Sequence, residues 1–519
     1  MREELSQTVT NEQGTLLRNS AVVSPIQQTL RAAVAQARPN ETQQEQNSTG
    51  FIPIPEELQG VEPNDFKFLQ EYVKFSREWS PRSVQSSHES VALWVLSAAA
   101  AGRVVFNYGQ RQRAFLYLFL VAKSTLYAKS TTVGIGNDLL EGAGLGRVII
   151  RKGTPQAFFD QCVEKVPADW ENRSDEQKQR TLDKLKNAGQ RAWYAEEFGA
   201  WAEAMLREGS VHYQFRELLL NIFDCPSLLE YSTISRGEAI VEKPALSVFA
   251  VSTYAHLRKL AAANSPLWRD GLFARFSWIT TTQDERPSDE FIPERERKFP
   301  PYLLKALHDY DKMLGVPTVS VSPVFEKTQT GKEKKVVRHD VRVDRGREFV
   351  VNFTSEAFDA LKRYDVFLRG IVRDKDIPED LESCYGRFAA FCARTAVLLA
   401  SVEHSTECTL RHFRKAVAIT ERNRRSLHDA YFRLTTEAGE NDKVSRTDAL
   451  LRFIGAMRVA TLRDIQAKFR RQYPQGVREL EAELDALVRS GDLHVSQPKK
   501  NRKRYAVDVF LLTQENEKK

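Results

Sequence analysis

Five apolar runs lie between residues 114 and 281, in the middle of the chain. They read AFLYLFLVA, RVIIRK, RAWYAEE, ALSVFAVST and FARFSWITT. Stretches with helical spacing lie between them, including SDEQKQRTLDKLKNAGQ and SVHYQFRELLLNIF. Strands that alternate with helices favour a largely parallel sheet with helices on its faces. The pattern therefore predicts an α/β core over residues 113–316.

Helical spacing dominates on both sides of this core. Upstream, NDFKFLQEYVKFSREW predicts a helix with Asn64 as its N-cap, and SHESVALWVLSAAAAGRVVF is apolar enough for a buried helix. We assign residues 56–112 to a helical N-terminal segment. Downstream, three long helical patterns predict an all-α subdomain over residues 353–437.

Residues 317–352 alternate β-branched and polar residues around the segment TQTGKEKK. This pattern predicts a basic β-hairpin inserted between the core and the helical subdomain. Two interpretations of the hairpin stay open. One strand can contact nucleic acid, or the charges can simply keep the hairpin solvated.

The last module, residues 438–519, follows the polar segment TEAGENDKVS, which predicts a linker. Three amphipathic helices and then two strands around the turn QPKKNRK give the order of a winged helix. The third helix exposes acidic residues, so we expect the wing to contact the DNA backbone, or the module to dock on protein. The basic wing residues are Lys499, Lys500, Arg502, Lys503 and Arg504.

Length and composition indicate an ordinary soluble protein of two or three domains. The chain has 519 residues, a net charge of +7 and a pI near 9.0, which permits an anionic partner such as DNA. No apolar run is long enough to span a bilayer, and the N-terminus has no apolar segment typical of a signal peptide. We therefore expect no membrane association and a cytoplasmic location.

Two further composition features agree with this expectation. The five cysteines are scattered and form no CxxC pair, which is typical of reduced thiols in a cytosol. Residues 1–55 are rich in Gln, Asn, Thr and Ser and predict a mostly disordered tail.

The first apolar run leads into a segment that partly matches a phosphate-binding loop. In the pattern GxxxxGK[ST], Lys129 and Ser130 occupy the lysine and hydroxyl positions, whereas Lys123 and Ala128 replace the two glycines. Glycine is preferred there because the loop needs positive φ and close backbone approach. The alternative is a buried strand followed by a helix that Ser124 or Thr125 caps. The candidate loop residues are Lys123, Ser124, Thr125, Ala128, Lys129, Ser130 and Thr131.

Polar residues follow three later apolar runs. Glu196 and Glu197 end the third run, where adjacent carboxylates can hold magnesium and polarise an attacking water. Such a pair alone is also typical of a solvated surface. Ser252 and Thr253 end the fourth run, and Arg275 lies next to the fifth.

These segments, in this order, resemble the P-loop ATPase module of primase-helicase and replication-helicase proteins of phages, plasmids and mobile islands. The resemblance covers roughly residues 60–430. It implies an α/β P-loop NTPase core, RecA-like or AAA+-like, with ATP and Mg²⁺ as cofactors. The partners that the resemblance implies are single-stranded or duplex DNA, further copies of the chain, for example in a hexameric ring, and replication or transposition proteins.

The resemblance also implies roles for individual residues. Lys129 contacts the phosphates and Ser130 the magnesium, which Glu196 assists. Glu197 is the catalytic base, Ser252 or Thr253 senses the γ-phosphate, and Arg275 acts as a finger across a subunit boundary. The expected function is a DNA-dependent ATPase, helicase or translocase. The alternative is a DNA-binding assembly or regulatory protein whose nucleotide site is degenerate.

Overall fold

The structure is a computed structural model of the chain. The residues that it describes are 51–122, 127–150, 161–210, 212–233, 237–258, 260–261, 264–281, 288, 290–327, 334–374, 377–469, 473, 477–490, 493–496 and 503–506. The predicted disordered tail lies almost entirely outside these residues.

The strands alternate with helices through most of the described chain. The helices are α1 (Glu56–Gln59), α2 (Lys67–Trp79), α3 (Gln85–Ala100), α4 (Lys129–Gly142), α5 (Asp175–Leu185), α6 (Phe198–Leu206), α7 (Tyr213–Phe223), α8 (Tyr254–Leu257), α9 (Pro266–Arg269), α10 (Pro301–Met313), α11 (Ser355–Arg373), α12 (Glu379–Val402), α13 (Leu410–Met457), α14 (Leu462–Phe469) and α15 (Val477–Ser490). The strands are β1 (Val104–Tyr108), β2 (Gln110–Arg113), β3 (Tyr117–Val121), β4 (Ile149–Ile150), β5 (Gln190–Ala195), β6 (Leu228–Thr233), β7 (Gly237–Glu242), β8 (Ala245–Ser252), β9 (Ser277–Thr280), β10 (Thr318–Lys327), β11 (Lys334–Asp344), β12 (Phe349–Val350), β13 (Asn352–Phe353), β14 (Glu407–Cys408), β15 (Ala460–Thr461), β16 (His494–Ser496) and β17 (Arg504–Ala506).

Five parallel strands form the central sheet, in the order β4-β5-β8-β3-β9. They are the five strands that the apolar runs predicted. Every residue of β3, β8 and β9 is buried, as expected of a parallel sheet covered on both faces. Helices α3, α4, α6 and α7 contact this sheet. The chain is therefore a mixed α/β protein with a parallel sheet flanked by helices.

One hydrophobic core extends from Ile54 to Leu434. It combines the central sheet with the upstream helices α2 and α3 and the downstream helices α10 to α13. The predicted segments 56–112, 113–316 and 353–437 thus share a core. The last module has a separate core that includes Leu450, Leu484 and Tyr505.

Several elements differ from the sequence expectation. Helix α2 begins at Lys67, not next to Asn64. Helix α3 ends at Ala100 because Ala101 and Gly102 adopt positive φ, and the predicted helical run continues as β1. The antiparallel pairs β1–β2 and β6–β7 were not predicted. They are short and lie outside the central sheet, so their apolar signal is weak.

The predicted linker TEAGENDKVS is not a break in the backbone. It lies inside α13, which runs without interruption from Leu410 to Met457. The segment contains helix-forming Glu, Ala and Lys residues and no proline, and a single glycine costs a helix only about 1 kcal/mol. The segment still joins two separate hydrophobic cores, one ending at Leu434 and the other beginning at Leu450, but it does so as a helix.

The predicted basic hairpin is confirmed, since β10 and β11 pair antiparallel over ten residue pairs. Its turn, residues 328–333, lies outside the described residues. The end of the predicted insertion is not part of the hairpin, because its strand β12 pairs with β1. The inner side of the hairpin packs Val319, Val321 and Val341 against a small cluster around Trp170.

The C-terminal module contains α14, α15 and an antiparallel sheet in the order β15-β17-β16. The predicted strand RYAVDVFLL is described only over Arg504–Ala506. The basic residues Lys499, Lys500 and Arg502 lie outside the described residues. In the part of the chain that is described, no helix combines the length and the apolar composition needed to cross a membrane.

Candidate functional site

The carboxyl ends of β3, β5 and β8 lie at one edge of the central sheet. Strand β8 lies between the other two, with Val121 of β3 opposite Ser252 and Ala195 of β5 opposite Ala250. From β3 the chain continues towards β4 and β5, whereas from β8 it continues to β9 on the other side. Open α/β sheets bind ligands outside the carboxyl ends of their strands at such a reversal of strand order. We therefore examine this edge as the candidate site.

Helix α4 follows β3 in the chain and begins next to a left-handed residue. Ala128 has φ 42° and ψ 39°, the left-handed conformation, and α4 begins at Lys129. This is the position of the second glycine in a phosphate-binding loop, where the sequence has alanine. Alanine therefore adopts a conformation that glycine adopts more easily. The N-cap residue of α4 is Ala128, and Ser124 and Thr125, the capping residues of the alternative, lie outside the described residues.

The turn between α2 and α3 supports this strained peptide. Ser83 Oγ donates a hydrogen bond of 2.7 Å to the carbonyl of Tyr127 and also contacts the hydroxyl of Thr132. The Tyr127 side chain packs with Val84 and Ala122. A non-glycine residue in the left-handed region persists only where its surroundings hold it, and here they do.

Lys129 and the first turn of α4 create a positive region next to this turn. Lys129 Nζ lies 3.2 Å from the carbonyl oxygen of Ala122, and burial lowers the pKa of the lysine. Ser130 and Thr131 are exposed in the first turn. The N-cap residue is an alanine, which makes no side-chain hydrogen bond to the amide groups of the first turn. A helix N-terminus beside a lysine favours an anion such as phosphate.

The two glutamates lie at the end of β5. Glu196 is half-buried and Glu197 is exposed. Glu197 has φ 54°, so it is a second non-glycine residue in the left-handed region at this edge. This turn directs two adjacent carboxylates away from the strand before α6 begins. Residues held in such conformations are enriched at functional sites.

Tyr194 of β5 lies near residues that follow both β3 and β5. Burial raises the pKa of Tyr194 to about 12, the charge of Glu196 adds to the rise, and the nearby Ser130 hydroxyl opposes it. Ser130 follows β3 and Glu196 follows β5, and the phenol of Tyr194 interacts with both of them. The two residues expected to bind magnesium therefore lie in one neighbourhood.

Ser252 and Thr253 have different environments at the end of β8. Thr253 Oγ1 accepts a hydrogen bond from the amide of His256 and caps α8. Ser252 Oγ is buried and has no hydrogen-bond partner among the described residues. Gly199 lies close to this hydroxyl. A Cβ at residue 199 would lie 2.9 Å from Ser252 Oγ, so a larger residue there would crowd it. Ser252 is thus the better candidate of the two for contact with a ligand.

A cavity of about 510 Å³ adjoins the acidic pair. It is lined by Glu196, Glu197, Tyr194 and Asn137, together with the aromatic rings of Trp193 and Trp201. Asn137 Oδ1 is buried and lacks a hydrogen-bond partner among the described residues. The cavity has the volume of a small-molecule site.

Arg275 is not brought to this edge. It lies just before β9 and therefore at the amino edge of the sheet, opposite the candidate site. Its guanidinium is buried, forms a 2.9 Å ion pair with Asp224 and donates to the carbonyl of Gly271. Its contacts are those of a residue that holds the fold together.

The sequence analysis missed a charged pair at the carboxyl edge. Arg433 of α13 lies above the ring of Tyr254, which follows Thr253, and pairs with Asp429 at 2.8 Å. Burial raises the pKa of Asp429 despite this pair. The spacing of four residues in a helix was visible in the sequence, but such pairs are common on helix surfaces and gave no useful signal.

The oxygen donors at this edge fit magnesium better than a transition metal. Mg²⁺ prefers oxygen ligands, keeps several waters and is often shared with phosphate groups. The Ser130 hydroxyl and the Glu196 carboxylate are donors of this type. No cluster of three His, Cys, Asp or Glu residues suited to a metal ion is found in the described ranges.

Comparison with known proteins identifies no relative: no family model matches the chain, and no curated protein matches it significantly. The functional conclusion therefore depends on the fold and on the geometry of this edge.

Proposed function

We propose that the chain is a P-loop ATPase that acts on DNA, a helicase or translocase of a phage or mobile-element replication system. The observation that carries the proposal is the left-handed turn at Ala128. It provides, without glycine, the backbone conformation that leads from a strand into a phosphate-binding helix N-terminus. Lys129 and Ser130 follow immediately, as such a loop requires.

Nucleotide binding is assigned to the turn after β3. In this proposal the amides of the first turn of α4 and the ammonium group of Lys129 hold the phosphates. Lys123, Ser124, Thr125 and Thr131 complete the loop. The Lys129 side chain is already at the turn, with Nζ beside the Ala122 carbonyl, so a phosphate would replace a weak contact with a stronger one.

Hydrolysis is assigned to the ends of β5 and β8. Ser130 and Glu196 would hold Mg²⁺, which neutralises charge on the phosphates when it is bound. Glu197 is exposed beside them and would orient and deprotonate the attacking water as a general base. Ser252, with a buried hydroxyl that has no partner in the described chain, would hydrogen-bond the γ-phosphate. Thr253 is occupied as a helix cap and is the weaker choice.

DNA binding is assigned to the C-terminal module, which we propose to be a winged helix. Its helices and antiparallel strands follow the expected order around a core of their own. Lys503 lies 3.6 Å from Asp485 of α15, so part of the charge of the wing is neutralised internally. Lys499, Lys500, Arg502 and Arg504 would then supply most of the phosphate contacts, which position DNA without reading its sequence.

Assembly of several copies, in a ring or filament, remains part of the proposal. A phosphoryl-transfer site at a subunit interface usually receives an arginine from the neighbouring subunit. The buried Arg275 is poorly placed for that role.

The alternative function is a DNA-binding assembly or regulatory protein with a nucleotide site that does not hydrolyse ATP. The missing glycines favour this alternative, because they make a productive loop harder to form.

Steady-state ATP hydrolysis by the full chain, with and without single-stranded and duplex DNA, tests the proposal. We expect DNA-stimulated turnover that Lys129→Ala abolishes. The matched control is Lys305→Ala, which removes an exposed lysine of α10 paired only within its own helix. If the wild-type protein hydrolyses no more ATP than Lys129→Ala while DNA binding persists, the ATPase proposal fails and the alternative function replaces it.

A further inference from the structure

Three arginines and one carboxylate meet at the amino edge of the central sheet. Arg275 precedes β9, Arg387 and Arg394 lie two turns apart on α12, and Asp224 follows α7. All three arginines line a cavity of about 10 Å³. Among the described residues, Asp224 is the one carboxylate that pairs with any of them, and its side chain is 60% exposed. The cluster therefore holds an excess of positive charge.

Arg394 has the least common environment of the three. It is only 3% exposed, and its guanidinium lies 4.8 Å from the ring centre of Phe115 and 4.3 Å from that of Phe223. One nitrogen, Nη2, donates to Gln112 Oε1 and to the carbonyl of Phe223. The remaining donors, Nε and Nη1, are buried without a hydrogen-bond partner among the described residues. The two rings stabilise the charge of Arg394 but supply no conventional hydrogen-bond acceptor for these two donors.

The neighbouring arginines share this shortage of acceptors. Arg275 Nε is also buried without a partner in the described chain, although its two other nitrogens bond Asp224 and the Gly271 carbonyl. In the part of the chain that the structure describes, Arg387 donates to the carbonyl of Ser383 in its own helix and forms no ion pair. Buried charged donors without acceptors are strongly unfavourable, and several such donors around one small space require an acceptor there.

We propose that the cluster binds one small monovalent anion, such as chloride. The cavity is about the size of one small particle, which favours a single-atom anion over phosphate or sulfate. A water molecule would satisfy two or more donors but would leave the charge excess. A halide accepts from several N–H groups at once and has no directional preference. The bound anion would join α12 to the start of β9 and the end of α7.

Thermal unfolding of the full chain tests this site. We expect the Tm to rise saturably, by about 2 °C, when chloride replaces gluconate at constant ionic strength, because gluconate is too large to enter. Arg387→Gln should abolish this difference, whereas the control Arg373→Gln, an exposed residue of α11 paired only with Asp374, should retain it. Equal Tm values in chloride and gluconate would overturn the proposal, as would a chloride effect that survives Arg387→Gln.

A second measurement tests the anion site in the wild-type chain, without any substitution. Crystals of the wild-type chain grown in bromide should show an anomalous peak between Arg394, Arg275 and Arg387. A difference map that shows only a water molecule there, without anomalous signal, would mean that no anion binds and would overturn the proposal. Neither experiment depends on ATP hydrolysis, so the site can fail while the ATPase proposal stands.

Discussion

The two edges of the central sheet carry similar residue types in very different environments. At the carboxyl edge, Lys129 and Glu197 are partly or fully exposed and lie next to left-handed turns. At the amino edge, Arg275 and Arg394 are buried and contact aromatic rings. The two ends of a strand therefore offer charged residues different environments: those at the carboxyl edge are open to a large ligand, whereas those at the amino edge are buried and could reach only the small anion proposed above.

The difference follows from how parallel strands end. At the carboxyl ends, the chain leaves the sheet through loops into helix N-termini, so amide groups and polar side chains converge on a ligand. At the amino ends, helices return to the sheet, and here α7 and α12 cover that edge with aromatic side chains and the buried arginines of α12. Four substitutions test whether this division between the edges is correct.

Glu197→Gln should have the largest effect. We expect ATP hydrolysis to fall by about 10²- to 10⁴-fold, because the amide cannot act as a general base, while nucleotide affinity is retained. Turnover number and nucleotide Kd measure the two separately. The control Glu203→Gln removes an exposed carboxylate of the same helix that pairs with Arg207. If both variants lose activity equally, the carboxyl edge is not the catalytic edge.

Arg275→Gln should affect stability rather than catalysis. We expect the free energy of unfolding to fall by about 1–3 kcal/mol, because a buried guanidinium loses its contacts while its partner Asp224 remains largely exposed. The rate of hydrolysis per folded molecule should not change. Denaturant unfolding measures the stability, with the exposed Arg269→Gln as the control. Loss of hydrolysis at unchanged stability would restore the finger role for Arg275.

Ser83→Ala should weaken the support of the turn at Ala128. It removes the hydrogen bond to the Tyr127 carbonyl, which is worth about 1 kcal/mol, and we expect nucleotide affinity to fall by about fivefold. Titration with a fluorescent ATP analogue measures the affinity. Ser210→Ala is the matched control, because it removes a similar bond, from Ser210 Oγ to the Ala204 carbonyl. Unchanged affinity in Ser83→Ala would show that this bond does not support the turn.

Ala128→Gly should have the smallest effect and the opposite sign. Glycine relieves left-handed strain of about 1–2 kcal/mol but makes the unfolded chain more flexible, so we expect a net gain of about 0.5–1 kcal/mol. Nucleotide affinity should stay equal or rise. Ala101→Gly is the matched control, with φ 45° at the end of α3. Both variants should gain stability, and a loss in Ala128→Gly alone would contradict the left-handed turn.

Much of the central sheet was predictable because its strands are buried on both faces. A parallel strand covered by helices has continuous apolar sequence, and ALSVFAVS of β8 shows this clearly. The short pairs β1–β2 and β6–β7 lack that signal. The continuous helix α13 was missed because polar composition was taken for a linker, although nothing in the segment stops a helix.

For the candidate site, the sequence predicted the order of the polar residues along the chain but not how they are arranged in space. Lys129, Glu196 and Ser252 each follow an apolar run, and this order indicated their type of chemistry. The sequence could not decide whether Ser252 or Thr253 contacts a ligand, because the answer depends on which of the two hydroxyls caps α8. Arg433 was missed because it reaches the edge from a helix about 180 residues further along the chain.

The sequence by itself determined the five strands of the central sheet and the polar residues at their ends, because burial on both faces leaves an apolar signature along the chain. Only the tertiary structure decided which of those ends meet. Strand order and direction place Lys129, Glu196 and Ser252 at one edge and Arg275 at the other. That arrangement depends on contacts between distant segments, and no local pattern of residues contains it.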